Sequence, residues 1–235
     1  MHIDRFIAEM ETVAPTQGAE EFDEGRIGLV VAGKTEITTV CAALDATHQV
    51  VEDAVRRGAD MLVVHHTPIW HPLTRIQGYD ADMLRTVLGA GLNIFVMHTN
   101  FDHAQEGIND ALADLLDLTD RISLSLGVLG TCALSPAEIG GVLKAPLLVY
   151  GTMTPPCRLA VVGGSGCDMD LIDEAAALGA EAFLSSEAKH SVLRSSPVPL
   201  LVSTHYATEN PGMRALAKRR GWDFLEDDPA PTVFE

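Results

Sequence analysis

The sequence has 235 residues, of which 47% are hydrophobic, and it carries a formal net charge of −17 from 33 acidic and 16 basic residues. This hydrophobic content is enough to form a sizeable core, so the composition excludes a disordered chain. The acidic excess argues against a nucleic-acid partner, because nucleic-acid binding relies on Lys and Arg to neutralise backbone phosphates.

The N-terminal segment 1–15 predicts a short amphipathic helix that contains acids and lacks the basic start and apolar core of a signal peptide. No apolar run approaches the roughly 18 residues that a membrane-spanning helix requires. The four cysteines are scattered without a CxxC pair, which argues against a disulfide framework or a cysteine metal site. We therefore expect a cytoplasmic protein that does not enter a membrane.

Short apolar stretches alternate with helical patterns along the rest of the chain. The apolar stretches predict strands at IGLVVAG, TTVCAAL, MLVVHH, NIFVMHT, LLVYG, LAVVGG, AFLSSE and LLVSTHY. Segments with 3.6-residue spacing that end near Gly predict helices at THQVVEDAVRRG, DADMLRTVLGAG, GINDALADLLDL, MDLIDEAAALG and NPGMRALAKRRG. This alternation indicates an α/β fold whose strands are buried on both faces.

Two segments of the chain align without a gap. Residues 51–66 and 172–187 share an alanine and a Gly-Ala pair at matching positions, and the alignment places His66 opposite Glu187. Each aligned segment is followed by another predicted strand that ends in a histidine, His98 after the first segment and His205 after the second. An acidic residue lies four positions after each of these histidines. This internal repeat predicts two pseudo-symmetric αβ halves. We expect one domain, 1–235, with halves at approximately 1–142 and 157–235, joined by the Pro- and Gly-containing segment 143–156.

Histidines and acids follow three of the predicted strands. They are His65 and His66 after the first, His98 and Asp102 after the second, and His205 and Glu209 after the third. In open α/β sheets, ligands gather outside the carboxyl ends of the strands. Imidazoles and carboxylates without cysteine are the ligands expected for Zn, Mn, Fe, Ni or Co. Five ligands are too many for one tetrahedral ion with an open position, so we predict two divalent metal ions that share a water or hydroxide.

The members of this set have different expected roles. Neighbours on a strand normally point to opposite faces, but at the strand end, before Pro68, His65 and His66 can diverge toward separate ions. We assign His98 a catalytic role beside the ions, in which it orients Asp102 or donates a proton near the substrate. For each residue taken alone, a structural hydrogen bond or a helix cap is the alternative.

The segment Gly163–Gly166 follows a strand and precedes a helix, as phosphate-binding loops do. It is neither a GxGxxG nor a Walker A sequence, and the alternative is a tight turn that needs small residues.

Four stretches, taken in this order, carry a resemblance that extends over nearly the whole chain: ALDATHQVVEDAVRRGADMLVVHHTPIW, HTNFDHAQEGINDALADLL, LAVVGGSG and THYATENPGMRALA. They resemble the NIF-three-like (NGG-one-interacting factor three) family, whose members are also called GTP cyclohydrolase I type 2 homologues. The resemblance implies the NIF-three-like fold without an inserted regulatory domain, and a metal site at the carboxyl ends of strands between the halves.

The resemblance also implies which residues bind metal. His66 and Asp102 would bind one ion of a dinuclear metal centre, His65 and His205 would bind the other, and Glu209 would bridge them. A ring-shaped homo-hexamer, built as a trimer of dimers, is the assembly that it implies.

The leading interpretation is a metal-dependent hydrolase that acts on a small anionic, nucleotide-like or phosphoester substrate. The cyclohydrolase name would require attack at a purine C8, and nothing in the sequence picks out guanine. The alternative is a non-catalytic metal-binding or metal-delivery protein, or a regulatory interaction protein, that uses the same ligands.

Overall fold

The computed structural model describes residues 1–232 of the chain. The chain divides into two compact units, Met1–Gln105 with Met213–Asp227, and Glu106–Gly212 with the chain from Asp228. The last three residues of the predicted domain, 233–235, lie outside the described residues, and the domain boundaries stay a prediction. Within residues 1–232, the structure contains no helix with the length and apolarity that crossing a membrane requires.

Helices and strands alternate along the chain. The helices are α1 (Ile3–Val13), α2 (His48–Arg56), α3 (Tyr79–Ala90), α4 (Thr99–Asp102), α5 (Ile108–Leu115), α6 (Pro136–Leu143), α7 (Met169–Ala177), α8 (His190–Ser195) and α9 (His205–Arg220). The strands are β1 (Gly28–Val31), β2 (Val40–Asp45), β3 (Met61–His66), β4 (Asn93–Val96), β5 (Thr119–Ser123), β6 (Val128–Cys132), β7 (Leu148–Tyr150), β8 (Cys157–Val161), β9 (Ala182–Ser186), β10 (Leu200–Ser203) and β11 (Asp223–Phe224).

The first unit is built on a five-stranded sheet in the order β1-β4-β3-β2-β11. Strands β4, β3, β2 and β11 are parallel to one another, and β1 pairs antiparallel with β4 at the edge. The central strands are almost wholly buried because both faces of the sheet are covered, as expected for parallel strands. Helix α2 begins at a cap in which Thr47 accepts a hydrogen bond from the backbone N–H of Val50.

The second unit is built on a six-stranded sheet in the order β5-β6-β8-β9-β10-β7. Strands β8, β9 and β10 run parallel, and the remaining strands pair antiparallel. Helix α6 begins with a capping box in which Ser135 and Glu138 each bind the other's backbone N–H. The segment 143–156, expected to join the halves, contributes the edge strand β7 to this sheet.

The two units repeat one topology. A strand, a helix and a parallel strand (β2-α2-β3 in one unit, β8-α7-β9 in the other) are followed by a third parallel strand, β4 or β10. The two aligned sequence segments are α2-β3 and α7-β9, so they occupy equivalent positions. The predicted pseudo-symmetric α/β fold is therefore confirmed.

Candidate metal centre

His65 ends the buried part of β3 and has no exposed surface. Its Nδ1 lies 2.8 Å from the carbonyl oxygen of Met97. A carbonyl can only accept, so Nδ1 must carry the proton, and in the neutral ring Nε2 then holds the lone pair that a metal needs. That Nε2 lies 3.5 Å from Oδ1 of Asp102. At this distance the two atoms are close enough to belong to one dinuclear centre, in which two ions are roughly 3.5–4 Å apart.

His66 is anchored by a neighbouring strand. In the β2–β3 register it lies opposite Asp45, and its Nδ1 is 2.7 Å from an Asp45 carboxylate oxygen. The ring centroids of His65 and His66 are 4.9 Å apart, so the two imidazoles lie side by side. The strand end therefore brings the two side chains together, where regular strand geometry would place them on opposite faces.

His98 precedes α4 and is held by a buried carboxylate. Its Nδ1 lies 2.8 and 3.0 Å from the two carboxylate oxygens of Asp23, which also accepts hydrogen bonds from the N–H and hydroxyl of Thr99. Burial raises the pKa of Asp23, but hydrogen bonds from Thr99 and His98 outweigh it and leave that pKa below its ordinary value. The sequence predicted that His98 orients Asp102 or donates a proton near the substrate, and in the structure His98 forms a hydrogen bond with Asp23.

The imidazoles of His65, His66 and His98 form one group in the first unit. One ring nitrogen from each of the three imidazoles lies within 4.8 Å of the other two. Each Nδ1 already has a protein acceptor, which leaves Nε2 as the nitrogen for a cation. A metal-binding histidine usually donates its other ring N–H to a carboxylate or carbonyl, so this group has the expected anchors of a metal site.

In the second unit, His205 and Glu209 lie one turn apart at the start of α9. The His205 Nε2 is 2.9 Å from Oε2 of Glu209, and its Nδ1 is 3.0 Å from Oε1 of Glu187. Helix α9 continues through Pro211, although proline has no N–H to donate to the carbonyl one turn earlier. The helix begins at His205, which is earlier than the pattern at NPGMRALAKRRG predicted.

Glu187 directly follows β9 and anchors His205. It also accepts a hydrogen bond from the Ser165 hydroxyl, and that bond, together with His205, holds the pKa of Glu187 below its ordinary value against the effect of burial. The repeat placed Glu187 opposite His66. The two residues have different contacts in the structure. The imidazole of His66 is held by the carboxylate of Asp45, whereas the carboxylate of Glu187 holds the imidazole of His205.

In the glycine loop, residues 163–166, two backbone N–H groups bind side chains of the protein. The N–H of Gly163 donates to the Asn109 side chain at 2.8 Å, and the N–H of Gly164 donates to the Thr208 hydroxyl at 3.0 Å. Gly164 has a φ of +64°, and a Cβ there would lie 1.9 Å from Oε1 of Glu209. The loop is thus the tight turn that needs small residues, and its role as a phosphate cradle is not supported.

These donor sets fit a divalent cation. They combine imidazole nitrogens with carboxylate oxygens, which suit Zn and the other first-row ions named above. The four cysteines are buried free thiols, and none of them belongs to these groups of described residues. Sequence reasoning missed Asp23 and Asp45, the two carboxylates that anchor histidines. The assignment of individual residues as ligands stays a prediction.

Comparison with known proteins places the chain in a family. The model of the family Duf34/NIF3 (NGG1p interacting factor 3) matches residues 1–224. A relative from Deinococcus radiodurans called GTP cyclohydrolase 1 type 2 homolog is 33% identical over 82% of this chain and 79% of its own length.

Solved structures share the fold. Reduced HcgD from Methanocaldococcus jannaschii is 26% identical, with a TM-score of 0.81 over 95% of this chain and 96% of that one. A Bacillus cereus protein related to NIF3 is 16% identical, with a TM-score of 0.87 over 100% of this chain and 99% of that one, which shows the fold alone. The chain therefore belongs to the Duf34/NIF3 family.

Proposed function

We propose that this protein is a metal-dependent hydrolase with a dinuclear centre. The observation that carries the proposal is the group of His65, His66 and His98, whose Nδ1 atoms are all held by protein acceptors. Orienting imidazoles in this way prepares His65 and His66 as nitrogen ligands for cations and positions His98 for proton transfer. The name GTP cyclohydrolase 1 type 2 homolog, carried by the relative from Deinococcus radiodurans, is consistent with a hydrolytic reaction.

The proposed ligands follow the family resemblance. His66 and Asp102 would bind one divalent ion, His65 and His205 would bind the other, and Glu209 would serve both. The N/O donor set is compatible with Zn, Mn, Fe, Ni or Co. Bound cations of this kind act as Lewis acids and lower the pKa of water at the site.

His98 is the proposed general acid–base. The Asp23 carboxylate accepts a hydrogen bond from the protonated Nδ1 of His98. Nε2 is then the ring nitrogen that takes a proton from the reacting group or returns it. The depressed pKa of Asp23 keeps this anchor a carboxylate, so the histidine keeps one tautomer during the reaction. The proposed substrate is small and anionic, either nucleotide-like or a phosphoester.

Counting bound metal tests the centre. Protein reconstituted with each candidate ion should bind two ions per chain, measured by elemental analysis after gel filtration. Glu209→Gln should bind fewer, because an amide is a poor bridging ligand. Glu52→Gln, an exposed change of the same kind on α2, should still bind two. Unchanged stoichiometry in Glu209→Gln would show that Glu209 is not a bridge.

Turnover tests the reaction. Metal-loaded protein should hydrolyse at least one member of a panel of nucleotides and phosphodiesters, and His98→Gln should lose this turnover while it keeps its metal. A fully loaded protein that turns over no substrate with any ion would refute the hydrolase. The same ligands would then serve the alternative, non-catalytic metal binding or delivery.

We also propose a homo-hexamer, built as a trimer of dimers. The edge strand β7 supports association, because its residues Leu148, Val149 and Tyr150 are all at least 40% exposed. Apolar side chains along a sheet edge favour pairing with another chain. Light scattering should give six times the chain mass for the wild type and a smaller mass for Val149→Lys. A wild-type monomer would refute the assembly.

A further inference from the structure

Two exposed aromatic side chains lie beside His98. Phe22 and Trp70 are 52% and 41% exposed, although aromatic side chains of this size are usually far more buried. Their ring centroids are 6.4 Å apart, and they lie 6.2 and 5.5 Å from the His98 ring, each at a steep angle to it. An aromatic surface therefore extends from the proposed acid–base outward to solvent.

Arg26 completes this surface. Its guanidinium carbon lies 5.1 Å from the centroid of the Trp70 ring, and its Nε donates to the Trp70 carbonyl at 2.7 Å. In the part of the chain that the structure describes, Arg26 forms no ion pair, whereas Arg57 and Arg85 each bind a carboxylate. Its terminal N–H groups therefore offer donors for an anion in a chain of net charge −17.

Both aromatic residues come from segments that also build the metal centre. Phe22 lies in a short turn, Glu21–Asp23, whose last residue anchors His98. Trp70 follows His66 by four residues in the loop after β3. The hydrogen bond from Arg26 fixes that loop, so a ligand does not have to order it first.

We propose that Phe22, Arg26 and Trp70 form the substrate subsite and bind a planar heteroaromatic ring that carries a phosphate. The ring stacks on the exposed aromatic side chains, and the guanidinium of Arg26 binds the phosphate. This inference rests on the proposed function, since it sets the substrate beside His98. An aliphatic anion would leave the aromatic surface unused, and a neutral ring would leave Arg26 unused.

Binding of nucleoside monophosphates tests the subsite directly. Metal-loaded protein is titrated by calorimetry with AMP, GMP, CMP and UMP, and with the matching nucleosides and ribose 5-phosphate as the two halves of each. We expect at least one monophosphate to bind, and each half of it to bind at least roughly 10-fold more weakly, because stacking alone accounts for about that factor.

Variants assign the contributions. Trp70→Ala should raise the Kd of the monophosphate roughly 10-fold, and Trp70→Phe should raise it less because a ring remains. Arg26→Gln should weaken the monophosphate more than the nucleoside, because both ligands lose the fixed Trp70 loop but only the monophosphate loses a phosphate donor. The control is Trp222→Phe, since Trp222 stacks on Phe6 and has no part in the subsite. In that control Trp70 is the only tryptophan, and the bound ring should quench its fluorescence.

Two results would overturn the subsite. The first is no binding by any of the four monophosphates, and the second is equal affinity in the wild type and Trp70→Ala. If Trp70→Ala also has an altered solution mass, Trp70 instead covers another copy of the chain. Metal counts on the same samples separate the two proposals: monophosphate binding without bound metal would refute the centre and leave the subsite standing.

Discussion

The Nδ1 of His205 lies 3.0 Å from Oε1 of Glu187, whose backbone has a φ of +58°. A non-glycine residue in this left-handed region costs about 1–2 kcal/mol, so the surrounding structure must hold it there. The conformation directs the carboxylate at His205 and at the Ser165 hydroxyl together. Glu187 is therefore a positioning residue for His205.

Replacing Glu187 separates its positioning role from its backbone strain. Both Glu187→Ala and Glu187→Gly should lower metal affinity about 10- to 100-fold, because each removes the partner that orients His205. Glu187→Gly should be the more stable variant by about 1 kcal/mol, because glycine adopts positive φ without penalty. Chelator competition measures the affinity and urea unfolding the stability.

The Glu187 prediction has a matched control. Glu52→Ala removes an exposed glutamate from α2 and should leave metal affinity unchanged. Wild-type metal affinity in both Glu187 variants would show that the contact with His205 does not position the ligand.

Gly164 and Gly179 form a pair that separates a steric clash from backbone strain. Both have positive φ, but a Cβ at Gly164 would meet the Glu209 carboxylate, while a Cβ at Gly179 has open space. Gly179→Ala should cost about 1 kcal/mol of unfolding free energy. Gly164→Ala should cost more and should also lower the metal count, because Glu209 must move. Equal effects of the two substitutions on stability and metal content would contradict the close packing of Gly164 on Glu209.

Asp60 should make stability depend on pH. Burial raises the pKa of Asp60, but hydrogen bonds from the Lys34 ammonium and from the N–H groups of Thr38 and Thr39 outweigh it and leave that pKa below 3.8. A lowered carboxyl pKa contributes stability above the unfolded pKa, and this is lost as pH falls through the folded one. Asp60→Asn should therefore lose about 2 kcal/mol at neutral pH and progressively less below pH 3.8.

Urea unfolding across this pH range measures the Asp60 effect. Asp173→Asn, an exposed change of the same kind on α7, should follow the wild type at every pH. A loss in Asp60→Asn that stays constant down to strongly acidic pH would rule out the lowered pKa as its origin.

The buried thiols should be unreactive in the folded protein. Burial raises the pKa of Cys157 and of Cys167 to about 11, from 9.0, which lowers the thiolate fraction about 100-fold. Iodoacetamide at mildly alkaline pH should label the native protein slowly and all four cysteines quickly in urea. Asp173→Cys, which adds an exposed thiol, is the positive control. Rapid native labelling of Cys157 or Cys167 would contradict this burial.

The sequence predicted most of the buried strands, because their apolar runs reflect two covered faces, but it missed β6, which is buried apart from Thr131. It also missed β5, whose five residues are all exposed and therefore carry no hydrophobic pattern. That strand forms through antiparallel pairing with β6, a long-range interaction that local residue types do not encode.

Histidines at strand ends could be recognised from the sequence, whereas their anchors could not. Asp45 lies 21 residues from His66, and Asp23 lies 75 residues from His98. No spacing rule links such pairs, because the fold alone brings them together. The same limit applies to Arg26 and Trp70, which are 44 residues apart.

The anchors of the three imidazoles also bear on when a cation can bind. Each joins two groups of the protein across at least 21 residues of chain, so each forms when the chain folds and needs no ion. A zinc finger, by contrast, obtains its folding free energy from the metal. This protein should fold as an apoprotein into a preorganised receptor, so a chelator should strip its ions, and added metal should restore them, without unfolding the chain.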